Sequence, residues 1–145
     1  MKTKIEEQLR MFNHLWSEIG GLYHEAAVKC GLSDSEFDIL YTIYDQGEGC
    51  SQRDVCRLSG VSRQTVHSAI KKMERNGWIF LEAGEGRLMR IFLTKKGKDV
   101  MEKKLMPIVH AENDVFGGWI ESERTELLRL TKKYMVDFGE RINRM

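Results

Sequence analysis

Apolar residues in the first part of the chain recur at alternating steps of four and three positions. They are Ile5, Leu9, Phe12, Trp16, Ile19, Tyr23 and Ala26. This heptad spacing predicts a helix over residues 5–26 with one narrow apolar stripe. Such a stripe needs a second helix against it, and that helix can come from the same chain or from a second subunit.

Capping patterns predict three further helices in the middle of the chain. The pattern Ser33-Asp-Ser-Glu36 begins a helix that ends at the next glycine, and Ser51-Gln-Arg-Asp54 begins a short one. After a tight turn at 59–61, Ser62 caps a helix that extends to about Arg75. The residues expected to face the core are Phe37, Leu40, Tyr41 and Tyr44, then Val55 and Leu58, then Val66, Ala69, Ile70 and Met73.

The apolar period changes after residue 77 from that of a helix to that of a strand. Residues 78–82 and 89–93 are rich in aromatic and branched side chains, and the two glycines between them predict a β-hairpin. Thr94 caps a further helix, which Pro107 is expected to bend or interrupt. Its expected inward residues are Met101, Leu105, Ile108 and Phe116. After a pair of glycines, a last helix carries a second apolar stripe, formed by Leu127, Leu130, Tyr134, Phe138 and Ile142.

The charge of the chain is concentrated in its middle. The 145 residues have a net charge of only +1. Residues 51–98 contain 11 Lys and Arg against 4 Asp and Glu, a net charge of +7, and the remainder has a net charge of −6. Because a basic segment between acidic ends suits a polyanion, the middle of the chain is predicted to bind nucleic acid.

Composition argues against a membrane or secreted protein. No apolar run approaches the ~18–20 residues that a membrane span needs, and the N-terminus is charged where a secretion signal would be apolar. Cys30, Cys50 and Cys56 form no CxxC pair, and their odd number argues against a disulfide framework. We therefore expect a cytoplasmic protein that does not contact a membrane.

A short helix, a glycine turn and a helix with a polar outer face form the helix-turn-helix arrangement, whose second helix fits the major groove of DNA. Arg63 can bind guanine in bidentate fashion, Gln64 can pair with adenine, and Thr65 can contact a thymine methyl group or a phosphate. The full set of predicted DNA-binding residues is Ser62, Arg63, Gln64, Thr65, His67, Ser68, Lys71, Lys72, Arg75 and Arg87.

Other basic residues of this segment are suited to the DNA backbone and to the minor groove. Lys72, Arg75 and Lys95 are expected to contact phosphates, which adds affinity without sequence preference. Arg87 lies at the tip of the predicted hairpin and is suited to a narrow minor groove. The alternative is a basic helix that is merely solvated, but the hairpin and the local charge favour DNA binding.

Five segments of the chain together carry a family resemblance. They are Leu32-Ser-Asp-Ser-Glu-Phe-Asp-Ile-Leu40, Ser51-Gln-Arg-Asp-Val-Cys-Arg-Leu58, Val61-Ser-Arg-Gln-Thr-Val66, Lys72-Met-Glu-Arg-Asn-Gly-Trp-Ile79 and Phe92-Leu-Thr-Lys-Lys-Gly97. In this order they resemble the MarR (multiple antibiotic resistance regulator) family of bacterial winged-helix transcription factors. The flanking helices resemble those of the family in position and in apolar stripe, so the resemblance spans nearly the whole chain.

The resemblance implies a mainly α winged helix-turn-helix fold and an obligate, intertwined homodimer. Dimerisation helices would occupy residues 1–31 and 99–145, around a DNA-binding lobe at residues 32–98. The recognition helix would enter the major groove of a pseudo-palindromic site, and the wing the adjacent minor groove. The base-contacting positions of the family fall on Arg63, Gln64 and Thr65, and its Asp-x-Arg wing pattern falls on Glu85-Gly86-Arg87.

The resemblance also implies an effector, because members usually repress transcription and release DNA in response to a phenolic ligand, an oxidant or a metal ion. Aromatic side chains that could line a ligand cleft are Trp16, Tyr23, Tyr41 and Tyr44, for which core packing is the alternative. Candidate zinc ligands are His24, Cys30, His110 and Glu112, but the second helix supplies no obvious ligand, so neither a metal nor a cofactor is predicted. Cys30 is the best candidate for a reactive thiol.

The sequence does not predict an enzyme. His24-Glu25 is not completed to HExxH, and Gly84-Glu-Gly86 lacks the third glycine of a nucleotide-binding loop. We therefore interpret the chain as a homodimeric bacterial transcription regulator, in the first place a repressor, with double-stranded DNA as its partner. The alternatives are a winged-helix module that binds protein, and an effector-independent activator or global DNA binder.

Overall fold

The structure, a computed structural model, describes all 145 residues. They form two compact units, Met1–Ile108 and Val109–Met145. The elements of the first unit are α1 (Lys4–Lys29), α2 (Asp34–Gln46), β1 (Cys50–Ser51), α3 (Gln52–Ser59), α4 (Arg63–Arg75), β2 (Ile79–Ala83), β3 (Met89–Leu93) and α5 (Lys95–Val100). Helix α6 (Met106–Gly118) continues from the first unit into the second, which also contains α7 (Glu121–Asn143). The predicted fold, mainly α with a small β wing, is confirmed.

Side-chain caps begin most helices of the chain. The capping residues are Thr3, Ser33, Ser51, Ser62 and Thr94. Ser33 Oγ accepts a hydrogen bond from the Glu36 amide at 3.1 Å, and the Glu36 carboxylate accepts one from the Ser33 amide at 2.8 Å. These bonds satisfy amides that the start of a helix leaves unpaired. The cap at Thr3 was not predicted; the other four were.

The sheet contains three strands, one more than the predicted hairpin. Strand β3 pairs antiparallel with both neighbours, in the order β1-β3-β2. The hairpin β2–β3 has Ile79 opposite Leu93, as the predicted strands require. Strand β1, in which Cys50 lies opposite Ile91, was not predicted. A strand of two residues cannot display the alternation of period two by which strands are recognised.

Aliphatic side chains from α2, α3, α4 and the sheet form the core of the first unit. Its most deeply buried members are Ile39, Leu40, Val55, Val66, Met73, Ile91 and Leu105. The apolar face predicted for α2 was wrong in phase, because of its four residues only Leu40 is buried and Tyr44 is exposed. The inward face is centred on Ile39, Leu40 and Ile43, whose compact side chains pack closely, while the aromatic residues lie at its margin.

Two further residues predicted to face inward lie at the surface. Leu58 is 46% exposed and Phe116 is 40% exposed. Each belongs to the last turn of its helix, immediately before a glycine or a pair of glycines, where the chain changes direction. A side chain in such a turn has fewer neighbours than the helical spacing suggests, so periodicity alone overestimates its burial.

The irregularity expected around Pro107 is present as a π-helical turn. Helix α5 ends at Val100, residues Met101–Leu105 form the wider turn, and α6 begins one residue before the proline. Proline has no amide hydrogen and its ring collides with the carbonyl four positions earlier, so a regular α-helix cannot continue through this point. The π-helical turn, which has a different hydrogen-bond spacing, immediately precedes this point.

Gly97 allows α5 to pack against the start of β2. A Cβ atom added at this position would lie 1.8 Å from the carbonyl oxygen of Trp78. Two atoms cannot approach so closely, so this position requires glycine, the residue without a Cβ. The Gly97 amide also donates to Thr94 Oγ1 at 2.9 Å, which completes the cap of α5.

Apolar stripes are exposed on α1 in the first unit and on α7 in the second. Trp16 in α1 and Phe138 in α7 are each 52% exposed. The five residues predicted for the second stripe, Leu127, Leu130, Tyr134, Phe138 and Ile142, are all exposed. None of the helices combines the length and the hydrophobicity that crossing a membrane requires.

Candidate nucleic-acid interface

Helices α3 and α4 form a helix-turn-helix around a tight turn at Gly60. This residue has a φ of 71°, in the left-handed region where a Cβ atom is disfavoured. Ser62 Oγ then accepts from the Thr65 amide at 3.2 Å, and Gln52 Nε2 donates to the Arg63 carbonyl at 3.1 Å. Together these bonds hold the first turn of α4 against the first turn of α3.

The predicted recognition face of α4 is exposed along its whole length. Its residues are Arg63, Gln64, Thr65, His67, Ser68, Lys71, Lys72 and Arg75. Val66, Ile70 and Met73, on the opposite side, are buried. Six of the exposed side chains make no hydrogen bond or ion pair within the chain, and they are Arg63, Gln64, His67, Ser68, Lys71 and Arg75. Their donors and acceptors are therefore available to an external partner.

Three polar residues of this surface are partly engaged within the chain. Ser62 Oγ donates to Thr65 Oγ1 at 2.9 Å, so both hydroxyl groups belong to the helix cap. Lys72 Nζ lies 3.9 Å from Glu36 Oε2, and the Glu36 side chain is only 7% exposed. Lys72 therefore compensates a buried carboxylate in addition to presenting its charge to solvent.

The wing is anchored at its base and open at its tip. Phe80 and Phe92 stack across the hairpin with ring centroids 5.5 Å apart. Arg90 Nη1 donates to the Gly49 carbonyl at 2.9 Å, which ties β3 to the segment that precedes β1. Arg87 is exposed in the loop between β2 and β3, and its guanidinium has no partner within the chain, the neighbouring Glu85 included.

A cleft of about 280 Å³ lies between α3, the start of α4 and the wing. Its lining residues are Gln52, Arg53, Cys56, Arg63, Arg87, Leu88 and Met89. The structure thus brings together Arg63 and Arg87, which the sequence analysis assigned to different grooves of DNA. It adds Arg53, which the sequence analysis counted only as part of the basic segment. Nothing in the linear sequence indicates that α3 points this residue toward the wing.

The aromatic residues proposed for an effector cleft are only partly brought together. Tyr23, Phe37, Tyr41 and Tyr44 form a row from α1 along α2, with successive ring centroids 5.9, 5.4 and 6.0 Å apart. Phe37 joins this row although it was predicted only as a core residue. Trp16 lies outside the row and contacts Phe12 edge-on, at 6.1 Å between centroids.

The candidate metal ligands do not form a cluster. His24 Nδ1 is hydrogen-bonded to Asp34 Oδ1 at 2.8 Å, and Cys30 is the C-cap of α1. His110 and Glu112 belong to the second unit. No three His, Cys, Asp or Glu side chains anywhere in the chain lie close enough to hold a metal ion.

All three cysteines are free thiols. Burial, together with the negative charge of Asp54, raises the pKa of Cys50 to about 11, so this thiol is protonated and unreactive at neutral pH. Cys30 and Cys56 are half-buried. Cys56 lines the cleft described above.

Comparison with known proteins identifies the lobe that contains this surface. The model of the MarR family matches residues 31–87, from the end of α1 to Arg87 of the wing. This winged helix-turn-helix lobe belongs to the MarR family. A MarR family regulator from Neisseria meningitidis has the same fold, with a TM-score of 0.82 and 20% identity over 94% of this chain and 96% of that one. MarR regulators are transcription factors and not enzymes, in agreement with the prediction that this chain is not an enzyme.

Two other proteins are similar to this chain. BpsR from Bordetella bronchiseptica matches with a TM-score of 0.65 and 18% identity, over 92% of this chain and 97% of its own. The LexA repressor of Clostridium kluyveri is 32% identical over 111 residues, which are 67% of this chain and 55% of the repressor. The chain therefore spans about half the length of the LexA repressors that it matches.

Proposed function

We propose that this chain regulates transcription by binding double-stranded DNA as a homodimer, with α4 in the major groove and the wing in the adjacent minor groove. The observation that carries the proposal is the exposed polar face of α4, six of whose eight side chains lack partners within the chain. It lies beside the unpaired Arg87, in a segment of net charge +7. A helix of this kind fits a groove about 12 Å wide. The MarR membership of the lobe at residues 32–98 supports the same function.

The side chains at the start of α4 are the ones we assign to base reading. Arg63, Gln64 and Thr65 are the first residues to reach base edges when a helix enters by its N-terminus. His67, Ser68 and Lys71 follow one turn later. Arg75, Lys95 and, beyond its pairing with Glu36, Lys72 are assigned to phosphates, which position the lobe without reading sequence.

We assign dimerisation to residues 1–31 and 99–145. The support is the pair of exposed apolar stripes on α1 and α7, since large exposed apolar patches mark interaction surfaces. A dimer with two-fold symmetry presents two copies of α4 to the DNA. The corresponding site is a pseudo-palindrome with half-sites about 10–10.5 base pairs apart, or a multiple of that distance.

We infer that the regulator is a repressor that an aromatic ligand releases from DNA. The matching Clostridium kluyveri proteins are named repressors, and 6-hydroxynicotinic acid regulates DNA binding by BpsR. In this chain the row containing Tyr23, Tyr41 and Tyr44 offers ring faces for stacking, and Trp16 lies further along α1. The three free thiols suit the reducing cytoplasm of a bacterium.

The test is selection from random duplexes at ~150 mM salt, followed by sequencing of the retained DNA. A pseudo-palindrome with the stated spacing supports the dimeric regulator. Retention without sequence enrichment, falling steeply with salt, indicates a global DNA binder. Absence of retention at any salt concentration contradicts the proposal and favours a module that binds protein.

Arg63→Ala is the variant that distinguishes recognition of bases from nonspecific electrostatic attraction to DNA. It is expected to weaken binding to the selected site by about 1–3 kcal/mol and to relax preference at one base position. Arg87→Ala is expected to reduce the affinity for DNA, because it removes the assigned contact with the minor groove. Arg57→Ala removes the same charge from α3, where Arg57 is paired with Asp54 and is assigned to no DNA contact, and serves as the control with unchanged affinity. Equal affinities for all four proteins, measured by fluorescence anisotropy, would contradict the assignment.

A further inference from the structure

The cleft between α3, α4 and the wing receives arginines from three separate elements. Arg53 belongs to α3, Arg63 is the first residue of α4, and Arg87 lies in the loop of the wing. None of the three guanidinium groups has a hydrogen bond or an ion pair within the chain. The cleft therefore contains three uncompensated positive charges.

No carboxylate lines this cleft. The nearest acid in sequence, Asp54, accepts hydrogen bonds from the amide and hydroxyl of Ser51, and its other oxygen lies 3.6 Å from Arg57. The Ser51 amide is the main cause of the lowered pKa of Asp54, and Arg57 contributes. Asp54 is thus committed to the cap of α3. The three arginines of the cleft have no anion within the chain and are available to an external one.

A second cleft beside α4 lacks such unpaired positive charge. It lies between the start of α2 and the opposite side of the recognition helix, and its lining residues include Ser33, Ser35, Gln64 and Ser68. Its one cation, Lys72, is 3.9 Å from the buried carboxylate of Glu36. Of these two clefts, only the one on the wing side of α4 is lined by unpaired cations.

The position of the arginine cleft relative to the two reading elements indicates which anion it takes. In the proposed function, α4 enters the major groove and the wing enters the adjacent minor groove. What separates two adjacent grooves of a duplex is one sugar-phosphate backbone. A backbone that passes between α4 and the wing must cross the surface where this cleft opens.

Resting on that proposed function, we propose that the cleft is a seat for a backbone phosphodiester, and that Arg53 is a phosphate-binding residue. The planar guanidinium group, with its fork of donors, matches the oxygens of a phosphate in bidentate geometry. Arg53 approaches from α3, while Arg63 and Arg87 continue past the phosphate into the grooves on either side. The bound phosphodiester, with its single negative charge, compensates part of the positive charge of the three arginines and sets the register of both reading elements.

The experiment measures how DNA affinity depends on salt for wild type, Arg53→Gln, Arg53→Lys and Arg57→Gln. The DNA is a pool of random-sequence duplexes, because a phosphate contact does not depend on sequence. Arg57→Gln is the matched control. It removes the same charge from the same helix, but Arg57 lies outside the cleft and is paired with Asp54. Thermal melting of each variant verifies that it is folded.

Each lost phosphate contact lowers the slope of log affinity against log salt by about 0.9, and a dimer contains two clefts. Arg53→Gln is therefore expected to lower the slope by about 1.8, whereas Arg53→Lys and Arg57→Gln retain the wild-type value. The proposal is overturned if Arg53→Gln has the wild-type slope, or if Arg57→Gln lowers the slope equally. Failure of wild type to bind DNA at any salt concentration would instead overturn the proposed function itself, and the phosphate seat with it.

Discussion

Two acidic residues of α2 occupy environments with opposite consequences. Glu36 is buried, but its carboxylate accepts from the Ser33 amide and lies near Lys72 Nζ, so its charge is compensated. Asp38 is half-buried, and its carboxylate accepts no hydrogen bond within the chain. Burial, and then the nearby charge of Asp34, raises the pKa of Asp38 to about 6. The ionised form of Asp38 therefore opposes folding at neutral pH.

Asp38→Asn is expected to raise the free energy of unfolding by about 1 kcal/mol at pH 7, after allowance for solvent screening. Below pH 3.8 the carboxyl is protonated in both the folded and the unfolded chain, so the penalty is absent. It grows as the pH rises to about 6 and is complete above that value. Urea unfolding at pH 7 and near pH 4 tests this, and the gain should be much smaller at the lower pH.

Asp114→Asn is the control for that substitution, because Asp114 is exposed and without a partner within the chain. It should leave the stability unchanged at both pH values. A gain from Asp38→Asn that persists at pH 4 would show that lost charge is not its cause.

At the scale of single residues, the sequence predicted those roles that depend only on residues nearby in the chain. Ser33, Ser51 and Ser62 were predicted as caps because a hydroxyl three positions before an amide suffices to make the bond. Arg53 was not assigned to DNA, because its role depends on how α3 packs near a loop more than 30 positions away. Phosphate contacts of this kind follow from tertiary structure and not from a motif.

Helix α5 makes a close backbone contact with the residue that precedes β2. The absence of a Cβ at Gly97 permits this contact with the Trp78 carbonyl. Because the opposing atom belongs to the backbone, a rotamer change cannot relieve an overlap there.

Gly97→Ala is expected to destabilise the protein by about 1–3 kcal/mol and to lower Tm by about 5–10 °C. Differential scanning calorimetry measures the change. Gly139→Ala is the matched control, since Gly139 lies inside α7 with no atom within 4 Å of an added Cβ. There alanine should leave Tm unchanged or raise it slightly. An unchanged Tm for Gly97→Ala would contradict the close contact.

At the scale of elements, the sequence predicted where helices lie better than which way they face. The bounds of α4 follow from its cap at Ser62, and the position of α1 follows from a long periodic pattern, although its cap at Thr3 was not predicted. The phase of α2 was wrong because Phe37, Tyr41 and Tyr44 are apolar by composition yet lie at the margin of the core. The short β1 exists only through its pairing with β3, which no local pattern records.

The whole molecule is expected to be a dimer in which the stripes of α1 and α7 are covered. Phe138→Glu places a charge on the α7 stripe, and a charge without a partner is costly to bury. We expect the dissociation constant of the dimer to increase at least about tenfold, as measured by analytical ultracentrifugation at micromolar concentration. DNA affinity should decrease in parallel, because a monomer engages one half-site.

Val136→Glu is the control for this prediction. Val136 is also apolar and exposed, but it lies two residues from Phe138 and thus about 200° away around the helix. It should leave the dimer intact. If both variants dissociate the dimer equally, the interface is not confined to the predicted stripe; if neither does, α7 does not contribute to it.

The side chains that face outward from α4 have a consequence for how such a protein changes over evolutionary time. Arg63, Gln64, His67, Ser68 and Lys71 hold nothing in place within the chain. Under the proposed function, exchanging them alters which bases are preferred and leaves the stability of the lobe almost untouched, as is usual for exposed substitutions. Duplicated copies of such a gene can therefore diverge toward new operators without passing through unfolded intermediates.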